Sequence, residues 1–188
     1  MTLNLKNSLR KKMKQIRAIA YEKDPDASAN LIRLFHAHIS LSKNAIIAAY
    51  SPIHSELDIL PLLHHLHKTG HSCCLPVASE TAHEFLFKKW VPESIMIQGA
   101  FHIPVPEQGE LINPDVLLVP LLAFDTDGYR LGYGKGHYDT TLIKLKNTGK
   151  IVTIGIGYEV QKVDCVPREP HDQQLDWIIT EQKAYKIT

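Results

Sequence analysis

From Phe124 to Asp139 the chain reads Phe-Asp-Thr-Asp-Gly-Tyr-Arg-Leu-Gly-Tyr-Gly-Lys-Gly-His-Tyr-Asp, with glycine alternating at Gly132, Gly134 and Gly136. Removing Cβ at every second position lets the backbone adopt positive φ and approach a ligand closely. The stretch follows an apolar run and precedes a helical pattern, and amide N–H groups in a turn that opens a helix form a cradle for anions. Arg130 and Lys135 add a planar cationic fork and a mobile ammonium at its rim. Asp139 falls in the first helical turn, where a carboxylate could hold Mg²⁺ that already bridges phosphates. The chemistry indicated is phosphate handling. It is not the P-loop pattern, because Lys135 is followed by Gly136 rather than Ser or Thr. Nor is it the dinucleotide fingerprint, whose third glycine would fall at His137. A flexible surface turn is the plain alternative, and the phasing of Arg130, Lys135 and Asp139 argues against it.

The elements that must position this loop can be read from periodicity. A first helix is predicted over about residues 5–19, with Leu9, Met13, Ile16 and Ala20 facing the core and Lys6, Arg10, Lys14 and Arg17 on a neighbouring stripe. Asp24-Pro25 supplies an N-cap and first-turn proline for a second helix ending near His38. Residues 45–50 form a short buried strand, and residues 57–68 an amphipathic helix closed by Gly70. Further strands are predicted at 72–76, 84–90, 116–120, 151–158 and 177–180, with a helix at 138–146. The Gly- and Pro-rich stretch between Trp90 and Val116 reads as loop. Interleaved helices and apolar strands, without linker or repeat, imply a single three-layer α/β/α domain over residues 1–188 with a mostly parallel central sheet.

Composition narrows the function classes. A chain of 188 residues with 44% hydrophobic and 22% charged residues is an ordinary globular length and balance. Its formal net charge of +1 gives no whole-chain field for nucleic acid or an anionic membrane. No apolar run approaches the roughly 20 residues of a spanning helix, and the basic N-terminus lacks the apolar stretch of a secretory signal. Cys73, Cys74 and Cys165 are an odd set without framework spacing, read as reduced thiols of a cytoplasmic protein. Cys74 lies in an apolar strand with no cation to activate it. His64, His67 and His71 have near-helical spacing, but Gly70 interrupts it and a solvated face is the better reading. Asp125-Thr-Asp-Gly128 lacks the closing acid of a calcium loop and reads as a turn.

The run Val119-Pro-Leu-Leu-Ala-Phe-Asp125 followed by Gly128-Tyr-Arg-Leu-Gly-Tyr-Gly-Lys-Gly-His-Tyr-Asp139 resembles the signature of the 5-formyltetrahydrofolate cyclo-ligase family. Lys6-Asn-Ser-Leu-Arg10 resembles its N-terminal basic motif, and Tyr50-Ser-Pro-Ile-His-Ser-Glu-Leu-Asp58 its folate-contacting segment. Gly155-Ile-Gly-Tyr158 and Val166-Pro-Arg-Glu-Pro-His-Asp172 resemble its C-terminal block. The similarity spans nearly the whole chain in order.

That resemblance implies cyclisation of 5-formyltetrahydrofolate to 5,10-methenyltetrahydrofolate, driven by ATP with Mg²⁺ and passing through a phosphorylated formyl intermediate. It implies that Lys6 and Arg10 reach the ATP phosphates, and that Arg130, Leu131, Gly132, Tyr133, Gly134, Lys135, Gly136, His137, Tyr138 and Asp139 wrap the triphosphate. Arg130 and Lys135 are then the catalytic cations, and Asp139 and Asp172 the metal carboxylates. Glu56 and Asp58 follow the first strand, and either suits the amino and N–H groups of a pterin; Tyr138, Trp90 and Phe101 are candidate pocket aromatics. Many members carry an aromatic at the position of His137. A monomer acting on small molecules, with no nucleic-acid or membrane partner, is expected. A sugar-phosphate isomerase or transferase would leave Lys6, Arg10 and Asp172 unexplained, and a non-catalytic folate- or nucleotide-binding protein would differ only in lacking turnover.

Overall fold

The structure, a computed structural model, describes residues 2–79 and 83–187; Met1 and Thr188, the ends of the expected domain, lie outside them. Four helices, α1 (Thr2–Lys23), α2 (Ala27–His38), α3 (Leu60–Lys68) and α4 (His137–Thr148), accompany a seven-stranded sheet. In chain order its strands are β1 (Ile46–Ala48), β2 (Ser72–Ala78), β3 (Phe85–Trp90), β6 (Val116–Pro120), β9 (Val152–Ile156), β10 (Trp177–Ile179) and β11 (Ala184–Lys186). A hairpin of β4 (Met96–Gln98) with β5 (Pro104–Pro106) and a two-stranded ribbon of β7 (Ala123–Phe124) with β8 (Arg130–Leu131) stand apart from it.

The spatial order is β11-β10-β9-β6-β1-β2-β3. The inner five strands pair in parallel, and β3 and β11 close the edges antiparallel. Strand alternation sends Ile47, Val116 and Leu118 to one face, where they bury against Leu31 and Phe35 of α2 and Leu62 and Leu63 of α3. Ala48, Leu117 and Val119 go to the other, against Leu142 and Leu145 of α4. This is the expected three-layer arrangement. After β1 the chain proceeds to β2 on one side, and β6 continues to β9 on the other. The carboxyl ends of β1 and β6 therefore flank the point where winding reverses, the crevice in which open α/β sheets bind ligands.

Several elements depart from the periodicity reading. The buried residues of α1 are Lys6, Met13 and Arg17, while Leu9, Ile16 and Ala20 are only partly covered. The helix packs over the carboxyl end of the sheet through a small cluster of Met13, Leu122, Ala123, Leu131 and Val166, and Lys6 and Arg17 of its basic stripe turn inward toward acids. Asp24-Pro25 does not cap α2. The Asp24 carboxylate accepts from the Asp26 amide at 3.2 Å in a turn, and the helix starts at Ala27. The stretch read as loop contains the β4–β5 hairpin, whose Pro104 and Pro106 hide it from propensity; proline is compatible with such an edge.

Candidate functional site

The glycine-rich stretch is built by its own turn. Asp125, buried, accepts from the Tyr129 amide (3.0 Å) and the Val166 amide (2.9 Å) and pairs with Arg168 (3.2 Å). Gly128 closes the turn, which is the plain role expected of residues 125–128. The ribbon β7–β8 then delivers Arg130, and the loop runs to Gly136, which begins α4 in the left-handed conformation at φ 74°. Gly134 also has positive φ (93°), and a Cβ there would lie 2.9 Å from Arg10 Cζ. Arg10 in turn donates from Nε to the Gly132 carbonyl at 2.9 Å. Gly134 thus admits a guanidinium from α1 onto the loop.

This loop is one wall of a cavity of about 350 Å³. Its polar end gathers Lys6, Arg10, Lys14, Arg130 and Lys135 with Asp139 and Asp172. Arg130 is buried, donates from NH2 to Asp139 Oδ1 at 2.9 Å and from NH1 to the Gln173 carbonyl at 3.0 Å. Lys6 lies 2.8 Å from Glu169 Oε2 and 2.7 Å from Asp172 Oδ2. Burial alone would lower the Lys6 pKa, but the hydrogen bonds it donates to both acids, with their charges, outweigh it and hold the ammonium above its ordinary range. Lys135 is exposed, 5.6 Å from the Phe101 ring centroid, and makes no ion pair among the described residues.

The cavity's apolar lining comes from Ile53, Pro76, Phe85, Phe101, Ile103 and Val105. Ser51 donates to the Pro104 carbonyl at 2.7 Å and ties the β4–β5 hairpin to the chain leaving β1. Glu56 is the buried acid there. Its Oε2 accepts from the Ile53 amide at 2.9 Å, and burial, only partly offset by that bond, by Arg17 and by a hydrogen bond from the Tyr133 hydroxyl, raises its pKa to about 7. Tyr138 lines the cavity with its phenol pushed well up by burial. His137 packs its ring against Phe85 (centroids 5.2 Å) and Phe101 (5.4 Å), and burial lowers its pKa, so it serves as a neutral aromatic wall.

The structure separates the two acids after β1. Asp58 is exposed, does not line the cavity, and accepts from the Leu60 amide at 3.0 Å where α3 begins. Phe101 lines the cavity, whereas Trp90 lies in the core with His64 and His67 against its edges. Cys74 is buried and its thiol is pushed up by desolvation, in keeping with an inert residue. Missed by sequence reasoning were Glu169 beside Lys6, and Arg17 beside Glu56. Arg17 was visible as the continuation of the stripe Lys6–Arg10–Lys14, but nothing in spacing shows a buried guanidinium.

The donor set suits a hard divalent cation. The Gln173 amide, next in chain to Asp172, donates to Asp139 Oδ1 at 3.2 Å and brings the two acids to one wall. Each offers a second oxygen, Asp139 Oδ2 and Asp172 Oδ1, that accepts no hydrogen bond among the described residues. Two such oxygens are what Mg²⁺ usually takes from protein, and they are too few for a dedicated calcium cage. Glu169, His171 and Asp172 bring ligand atoms within 4.8 Å of one another at the same edge.

Residues 2–181 match the sequence model of the 5-formyltetrahydrofolate cyclo-ligase family. The 5-formyltetrahydrofolate cyclo-ligase of Escherichia coli K12 is 32% identical over 146 residues, covering 74% of this chain and 80% of its own. That of Mycolicibacterium smegmatis is 30% identical, with 95% of each chain covered. The NMR structure of Aquifex aeolicus 5,10-methenyltetrahydrofolate synthetase superposes with a TM-score of 0.81 at 31% identity, covering 97% of this chain and 93% of that one.

Proposed function

The chain belongs to the 5-formyltetrahydrofolate cyclo-ligase family, and from that premise we propose that its cavity takes ATP at the polar end and 5-formyltetrahydrofolate at the apolar end. The observation that carries this reading is a single cavity at the sheet's switch point that is lined both by the glycine-rich loop with its cations and by Glu56 with apolar side chains. Gly132, Gly134 and Gly136 line it together with Arg10, Arg130 and Lys135, and Glu56 adds a buried carboxylate.

The reaction is an ATP-dependent cyclisation. The formyl oxygen attacks the γ-phosphorus, ADP departs, and the formyl carbon becomes an imidoyl phosphate. N10 then attacks that carbon and loses its proton, and phosphate leaves with the former formyl oxygen. The products are 5,10-methenyltetrahydrofolate, ADP and phosphate. An amide-like carbonyl is a weak electrophile with a poor leaving group, and phosphorylation cures both. The protein's task is then positioning and charge stabilisation rather than covalent catalysis.

In this reading Gly132, Gly134 and Gly136 lay their backbone along the triphosphate, with Leu131, Tyr133, His137 and Tyr138 supporting the loop. Arg10 and Lys6 approach from α1. Lys135, free of ion pairs among the described residues, follows the transferring phosphoryl group. Arg130 holds Asp139 and contributes its charge through that contact. Asp139 and Asp172 would hold Mg²⁺, which when bound supplies charge neutralisation across the phosphates. Glu56 accepts from the pterin amino and N–H groups, and Tyr138 with Phe101 borders the ring.

A single unit over residues 1–188 acting as a monomer completes this reading, and the buried free thiols Cys73 and Cys74 suit a reducing cytoplasm. Purified protein with 5-formyltetrahydrofolate and Mg·ATP should form the ultraviolet-absorbing methenyl product and stoichiometric ADP. Product formed at full rate in EDTA without nucleotide would refute the reading.

A further inference from the structure

Arg17 stands where three segments meet. It projects from α1 and is 2% exposed. Its Nε donates to Ser55 Oγ at 3.2 Å, and its NH2 donates to the Tyr133 hydroxyl at 2.5 Å. Its NH1 lies 3.8 Å from Glu56 Oε1, beyond hydrogen-bond distance, and is buried with no hydrogen-bond partner among the described residues. Tyr133 sits between Gly132 and Gly134 in the loop on one side of the cavity. Ser55 and Glu56 belong to the chain leaving β1 on the other. A planar guanidinium has donors enough to serve both sides at once, which an ammonium on a flexible stem does not match in geometry.

The unpartnered NH1 shows that this junction is not fully closed. A buried N–H without a partner is costly, and a shift of roughly 1 Å would bring it into hydrogen-bond range of Glu56. We propose that Arg17 is a positioning residue that couples the two substrate sites, linking the glycine-rich loop through Tyr133 to the carboxylate of Glu56. This rests on the reading that the loop takes ATP and Glu56 the folate. Phosphates on the loop amides fix Tyr133, Tyr133 fixes the guanidinium, and NH1 closes on Glu56 and orients its oxygens for the pterin. Linkage is reciprocal, so folate at Glu56 tightens nucleotide by the same factor. Arg17 touches neither substrate in this scheme.

The test is calorimetric titration of 5-formyltetrahydrofolate into the full chain, with and without Mg²⁺ and a non-hydrolysable ATP analogue. Wild type should bind the folate about fivefold or more tighter with the analogue present, the lower range of ordinary coupling. Tyr133→Phe removes the oxygen to which NH2 donates. Arg17→Lys keeps the charge and removes the fork. Both should bring the factor to within about twofold of unity, whereas a residue that merely stabilises the fold would weaken both titrations alike and leave their ratio intact. Full coupling in Arg17→Lys would show that charge alone suffices and overturn the bridge, as would wild-type coupling in Tyr133→Phe or none in wild type. If Arg17→Lys does not fold, Arg17→Gln takes its place, because the Tyr133 hydroxyl also hydrogen-bonds Glu56 directly and Tyr133→Phe removes both contacts; full coupling in Arg17→Gln overturns the bridge. Wild type that neither binds the folate nor makes methenyl product overturns the functional reading as well; normal turnover with coupling indifferent to both substitutions overturns only the role of Arg17.

Discussion

Glu56 is a buried acid whose pKa of about 7 arises first from desolvation, with Arg17 too distant to restore it to the usual range. Because its folded pKa lies above the unfolded value, the native state holds this proton more tightly. The associated stability is fully present below the ordinary glutamate range and is lost as pH rises through about 7. Between pH 5 and pH 8 that loss should be about 2 kcal/mol. Denaturant unfolding of wild type and Glu56→Gln at the two pH values measures it, since the amide cannot titrate; parallel profiles would place Glu56 in the ordinary range. The same ionisation should govern folate affinity. Pterin N–H groups need an acceptor, so binding should tighten from pH 6 to pH 8 in wild type and stay flat in Glu56→Gln.

At the scale of elements, the loop between β8 and α4 uses its glycines for different reasons. Gly134 is both left-handed and pressed against Arg10, so Gly134→Ala should cost about 1 kcal/mol in backbone strain and displace the guanidinium. Gly132 has open space around its missing Cβ. Gly132→Ala should therefore leave stability within about 0.5 kcal/mol of wild type, yet raise the ATP KM if phosphates lie against that backbone. Melting curves together with ATP titrations of the two variants separate strain from ligand space, and an unchanged ATP KM in both would take the loop off the nucleotide. These glycines were legible because their alternation has few other uses. The parallel strands were legible too, since strands covered on both faces read as continuous apolar runs such as Val116–Pro120. The β4–β5 hairpin was not, because Pro104 and Pro106 suppress its strand signal. Nor was the inward face of α1, where periodicity marks Leu9 and Ile16 as apolar but cannot show that acids lie opposite Lys6 and Glu56 opposite Arg17. Likewise Glu56 and Asp58 were equivalent in sequence, and only the start of α3 consumes Asp58.

Over the whole molecule, Lys6 and Asp172 close the chain upon itself at the site. They are 166 positions apart, and their contact at 2.7 Å ties α1 to the segment between β9 and β10. Without nucleotide, Lys6 neutralises Asp172, one of the two acids that the functional reading gives to Mg²⁺, so ammonium and metal compete for that carboxylate. Lys6→Met keeps the apolar stem and removes the charge. Since Glu169 is partly exposed, the loss of stability should be modest, about 1–2 kcal/mol rather than the full cost of breaking a buried pair. The raised pKa of Lys6 gives the sign of its pH dependence: its contribution is fully present below its ordinary value of 10.5 and is lost only as pH climbs through the higher folded value. The stability difference between wild type and Lys6→Met should therefore hold constant from pH 6 to pH 9. Removing the competitor should also let Mg²⁺ bind the nucleotide-free protein more tightly than wild type, while the ATP KM rises because one phosphate partner is gone. Thermal unfolding across that pH range, calorimetric Mg²⁺ titration without ATP and steady-state kinetics read the three effects. Weaker magnesium binding in Lys6→Met would mean that the ammonium organises these acids for the metal instead of competing with it.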